Sequence, residues 1–103
     1  MKIFISGPVS GPMEERGFLF VYNRFLAVEN KISENFPDAI IYNPMKMCSQ
    51  RWSWLRCMIK CLWVLVQCEG VYMLPNYHES KGSRIEHKWA TFFKKEIIYL
   101  TTI

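Results

Sequence analysis

The residues of this chain with the strongest claim to chemistry lie in one run, Ser80-Lys81-Gly82-Ser83-Arg84-Ile85-Glu86. Ser80, Gly82 and Ser83 open a helical pattern. The free N–H groups and the positive dipole end of a helix start favour a phosphate or a carboxylate. Lys81 and Arg84 add positive charge beside it. Glu86 follows about two turns in, off the apolar stripe Ile85-Trp89-Phe92, so the spacing turns it toward a cavity while the stripe faces a sheet. A capped surface helix with an exposed glutamate fits the same residues, and on spacing alone it is the simpler reading.

Two further groups invite a chemical reading. The loop Ser6-Gly7-Pro8-Val9-Ser10-Gly11-Pro12 has small residues that let backbone N–H groups approach a ligand closely. It is neither GxGxxG nor a Walker A sequence, and a tight turn explains it equally well. Four cysteines, Cys48, Cys57, Cys61 and Cys68, contain no CxxC pair, and three fall on one expected helix where they cannot all meet. Cys57 and Cys61 are one turn apart, which leaves a metal pair with His78 or His87 open. Buried, reduced thiols are the simpler account, so neither metal nor cofactor is expected. Trp52 and Trp54 have rings that stack on a base or fill a core.

These residues must be positioned by short alternating elements. Lys2–Ser6 is a β-branched and aromatic run stopped by Gly7-Pro8, which reads as a buried strand. Phe18, Val21, Phe25, Val28 and Ile32 form one stripe of an amphipathic helix ending before Pro37. Ala39–Tyr42 is a second strand, closed by Asn43-Pro44. A helix from about Ser53 to Gln67 is apolar around most of its circumference, which suits a subunit interface as well as a sheet. Gly70–Leu74 is a third strand, residues 80–94 the last helix, and Glu96–Leu100 the last strand. Strands alternating with helices imply right-handed βαβ units. The expected fold is therefore α/β, a three-layer Rossmann- or flavodoxin-like domain over residues 1–103 with about four parallel strands. Ligands of such sheets sit beyond the strand carboxyl ends, which gathers Gly7–Gly11, Asn43-Pro44 and Pro75–Glu86 around one cavity.

Composition narrows the function classes. Half of the 103 residues are hydrophobic and 16% aromatic, which argues for a packed core rather than disorder. A net charge of +4 suits a small anionic ligand and is too weak to support nucleic-acid binding. The start MKIFISGP lacks the apolar run of a signal peptide, and no stretch approaches the roughly 20 residues of a membrane span. A cytoplasmic protein without membrane contact is expected.

The layout M-K-I-F-I-S-G-P at the start, N-P after the second strand, C-E-G-V-Y-M-L-P on the third and S-K-G-S-R-I-E-H on the last helix resembles one family. It is similar to the small phage and bacterial branch (DUF4406) of the nucleoside 2-deoxyribosyltransferase superfamily, across nearly the whole chain. The resemblance implies cleavage of an N-glycosidic bond in a nucleoside or nucleotide, or transfer of its deoxyribosyl group. In that superfamily a glutamate on the last helix attacks the anomeric carbon, and the matching residue is Glu86. The serine and glycine that hold a 5′-phosphate match Ser80 and Gly82. The first loop, with Ser6, Gly7, Pro8, Val9 and Ser10, matches the wall of the sugar and base pocket, and Asn43 and Pro44 complete the expected binding set. Tyr22 and Asn23 stand at the family's aromatic-asparagine position.

One departure is chemical. The family's M-R-x-D-I pattern carries an aspartate that helps proton transfer at the departing base, and that position here is Cys61. Asp38, the sole aspartate of the chain, lies before the second strand and does not substitute. A thiol is a poor proton donor, and general acid–base help is typically worth about 10²–10⁴ in rate. His78 and Glu79 are the alternatives for that role, His87 reads as a packing residue and Glu69 as a structural one. The expected function is an N-glycosidase or deoxyribosyltransferase; the alternative is a catalytically impaired nucleotide-binding protein. A homodimer or higher homo-oligomer is the expected assembly.

Overall fold

Lys2–Ser6 forms β1, the inner strand on which the molecule is built in this computed structural model, which describes residues 1–102. Its side chains alternate across the pleat. Ile3 and Ile5 enter one core and Phe4 the other, all of them buried. β2 (Ile40–Tyr42) pairs on one side, β3 (Gly70–Met73) on the other, and β4 (Glu96–Tyr99) lies outside β3. Every pairing is parallel, with Lys2 opposite Ile40, Ile3 opposite Gly70, and Gly70 opposite Glu96. The fold is α/β with a four-stranded parallel sheet in the order β2-β1-β3-β4, consistent with a Rossmann- or flavodoxin-like domain.

Five helices connect the strands: α1 (Ser10–Arg16), α2 (Phe18–Asn35), α3 (Pro44–Met47), α4 (Trp54–Leu65) and α5 (Lys81–Phe92). A single 3₁₀ turn, Tyr77–Glu79, precedes α5. Val21, Phe25, Val28 and Ile32 of α2 pack on Ile3, Ile5 and Leu74. On the opposite face Cys61 and Leu65 of α4 and Ala90 of α5 pack on Phe4, Val71 and Met73. The chain leaves β1 toward β2, then crosses back to β3, so the direction of winding reverses between β1 and β3. That reversal opens a crevice above their carboxyl ends. Among the described residues no helix is long and apolar enough to cross a membrane.

Three expectations need correction. The first loop is not irregular throughout: from Ser10 it becomes α1, which stops at Gly17, a residue with φ of 87° that a side chain would disfavour. The stripe Ile85-Trp89-Phe92 does not face the sheet. Phe92 is 78% exposed, and the buried face of α5 is Ser83, Glu86 and Ala90. Small side chains let α5 come close to the strands, which bulky aromatics would prevent, and the polar ones are hydrogen-bonded there. Finally, the cysteines are not all reduced: Cys48 and Cys57 form a disulfide, while Cys61 and Cys68 are free and buried.

Candidate functional site

At the end of β1 the backbone passes so close to Leu74 that a Cβ on Gly7 would lie 2.7 Å from the Leu74 Cβ. Glycine is required there by contact, since the two segments leaving β1 and β3 pass too close for a side chain. Ser6, fully buried, then donates its hydroxyl proton to Glu86 Oε1 at 2.5 Å. Ser83 Oγ lies 3.1 Å from Ser6 Oγ. A hydroxyl has one proton, so Ser83 donates to Ser6. The Ser83 N–H is held in turn by the Ser80 hydroxyl, the cap of α5, at 3.3 Å. One chain of hydrogen bonds thus runs from the helix cap through the strand end to the carboxylate.

Glu86 is 6% exposed. Burial pushes its carboxyl up to about 7, against the pull of the Ser6 hydrogen bond, which favours the charged form. It lines a cavity of about 250 Å³ at the carboxyl ends of the strands, slightly below the roughly 300–1,000 Å³ usual for small-molecule pockets. The first loop contributes Gly7, Val9 and Ser10, and the segment after β2 contributes Pro44 and Met45. Trp52, Trp54, Met58 and Cys61 form the wall from α4 and its approach, and Ser80, Gly82 and Ser83 come from the start of α5. Arg56 lies 4.1 Å over the Trp52 ring and Lys81 5.3 Å over that of Trp54, so the aromatic rim carries positive charge.

Gly7, Val9, Ser10, Pro44, Ser80, Gly82, Cys61 and Glu86, separated in sequence, therefore share one cavity. Ser6, Pro8 and Asn43 stand elsewhere. Ser6 lies beneath Glu86. Asn43 caps α3, accepting the Met45 N–H at 3.0 Å, and donates to Glu29 Oε1 at 3.1 Å. Pro8 lines a neighbouring recess with Arg24, Glu79 and Lys81. Glu79 belongs to that recess and His78 is exposed against Tyr77, so neither lines the cavity of Glu86. Tyr22 packs on Phe18, and the exposed Asn23 lines a separate groove. His87 is paired with Tyr99 Oη at 2.7 Å. Glu69 accepts the Lys2 N–H at the other end of the sheet, and that bond holds its carboxyl below the usual range.

Cys61 is buried beside Glu86. Burial first, then the negative charge of Glu86, pushes its thiol up to about 12. It stays protonated near neutral pH and is a weak proton donor. Among the described residues lining the cavity, Glu86 is the sole carboxylate. Sequence reasoning underrated Ser83, although its spacing of three from Glu86 marks a shared helix face. Met13, Phe18 and Met45 also line the cavity, and nothing in their type distinguishes a cavity wall from a core.

A family model described as Domain of unknown function (DUF4406) matches residues 1–99. No curated protein matches the chain.

Proposed function

The chain belongs to the DUF4406 family, and from that premise we propose that it cleaves the N-glycosidic bond of a deoxynucleoside or its monophosphate, with Glu86 as nucleophile. The observation that carries this reading is a buried carboxylate, poised near neutral pH, at the head of a cavity formed where the winding of the sheet reverses. As the C–N bond breaks, positive charge spreads over the sugar, and a carboxylate in a site poor in water stabilises it strongly. Ser6 engages Oε1; Oε2 is the oxygen left to bond the anomeric carbon. The base leaves with the bonding electrons and takes a proton from solvent at the cavity mouth. Water, or a second base in a transfer reaction, then cleaves the glycosyl ester and frees Glu86. The Ser80 and Gly82 end of α5, with Lys81 beside it, suits a 5′-phosphate.

A second reading has its own support. Retaining glycosidases use two carboxyl groups about 5–5.5 Å apart, and Cys61 occupies the place where the resemblance puts the second. A nucleotide-binding protein without efficient chemistry follows if that loss is decisive. A chromatographic time course with deoxynucleosides and their monophosphates separates the two. Free base released by the wild type and reduced at least about 100-fold by Glu86→Gln supports the glycosidase. Calorimetric binding without release supports the binder. Neither release nor binding overturns both.

The assembly proposed with this function is a homo-oligomer. Leu55, Ile59 and Trp63 leave a solvent-facing apolar row on α4, and Phe92 and Phe93 are exposed at the end of α5. Exposed apolar surface of that kind is commonly covered by a partner.

A further inference from the structure

We propose that Cys48, Cys57 and Cys61 form a three-thiolate site for one divalent thiophilic cation of the zinc class once the Cys48–Cys57 disulfide is reduced. Three sulfurs from two elements meet there. Cys48 closes α3, and Cys57 and Cys61 stand four residues apart on one face of α4. All three Sγ atoms lie within 4.8 Å of one another. Cys61 Sγ is 4.0 Å from Cys48 Sγ and 3.9 Å from Cys57 Sγ. Zinc–sulfur bonds of about 2.3 Å at tetrahedral angles set ligand sulfurs roughly 3.8 Å apart. Cys61 thus already stands at ligand spacing from both partners. The Cys48 and Cys57 sulfurs have to part, and reduction of the bond between them permits it.

Coordination to a divalent cation removes a thiol proton outright. The histidines take no part in the cluster. Three protein ligands leave a fourth position, and the three cysteines all line the cavity of Glu86, the space where that position opens. The chemistry balances in two steps. Two molecules of a monothiol reduce the disulfide, becoming one disulfide themselves and leaving Cys48 and Cys57 as thiols. Binding then exchanges three S–H protons for one M²⁺, giving a complex of net charge −1, beside which Lys60 supplies a compensating ammonium. The segment between Cys48 and Cys57, which carries Trp52 and Trp54, is tied to α4 by a covalent bond when oxidised and by the cation when reduced. No substrate is involved, so the site stands independently of the glycosidase reading.

The test is a titration of the full chain, reduced, freed of metal and kept without oxygen, first with Co²⁺ and then with Zn²⁺. Binding of one equivalent, a thiolate-to-cobalt charge-transfer absorption that zinc displaces, and nearly three protons released per cation at pH 7 are expected. Cys61→Ser should weaken binding by more than about 100-fold, beyond the roughly 10–100-fold typical of an outer partner. Cys68→Ser, whose thiol lies outside the cluster, should bind as the wild type does. The oxidised wild type should show no thiolate band, a comparison that needs no variant to fold. A reduced wild type without the band, an oxidised protein with it, or equal loss in Cys68→Ser and Cys61→Ser overturns the site.

Discussion

Glu86 must be charged to attack a sugar, yet its burial favours the neutral acid, and this conflict is measurable. Its carboxyl titrates near 7 in the folded chain against 4.5 as a free side chain. Between those values the folded state holds more protons than the unfolded one, so stability falls as pH rises. The penalty is absent below about pH 4.5 and complete above about 7, where it reaches roughly 3 kcal/mol. Glu86→Gln should therefore unfold at higher denaturant concentration than the wild type at pH 8, with the difference vanishing near pH 4. The same substitution should abolish base release, the usual trade of stability for activity at such a site. Equal stability of the two proteins at pH 8 would show that the carboxylate is not desolvated. In the glycosidase reading the rate climbs as Glu86 ionises, along a limb centred near pH 7. Ser6→Ala removes the hydrogen bond that favours the charged form, and should move that limb to higher pH; an unmoved limb would show that Ser6 is only packing.

At the scale of elements, much was legible because the signals were local. β1 runs from Lys2 to Ser6 as the apolar run and Gly7-Pro8 require, and the other strands agree within a residue at each end. The helix starts at Ser53-Trp54 and Ser80-Lys81 were marked by capping serines. What stayed hidden depended on contacts between distant residues. The stripe of α5 was misassigned because Trp89 and Phe92 are large and apolar, whereas Ser83 and Ala90 are small enough to approach the sheet. Cavity membership of Ser80, Gly82 and Glu86 was legible from the motif and its family resemblance, while the Ser6–Glu86 bond and the disulfide join segments that no periodicity relates. Three substitutions test this geometry. Ala90→Leu inserts volume between α5 and the sheet and should cost about 1–3 kcal/mol, whereas Trp89→Gln on the outer side should change stability much less. Gly7→Ala, which drives a Cβ into Leu74, should destabilise by a similar 1–3 kcal/mol. Chemical denaturation of the three variants decides; similar midpoints for Ala90→Leu and Trp89→Gln would mean the buried face of α5 is wrongly identified.

For the whole molecule, the uncovered apolar row on α4 makes a definite claim about mass. Light scattering should find a particle larger than the 12.3 kDa chain. Trp63→Lys, at a residue 70% exposed and outside both buried cores, should shift it to the monomer while leaving the fold intact. A wild-type monomer at all concentrations would remove the proposed assembly. The placement of β1 has a different kind of consequence, one of timing. The inner strand is synthesised well before its partner β3, which begins at Gly70, and Ser6 waits 80 residues for Glu86. Until β3 has left the ribosome, β1 has an edge without a neighbour, open to the wrong pairing or to a chaperone. A nascent fragment ending before α5 has no candidate nucleophile, so the chemistry proposed for this protein cannot begin until α5 has been made.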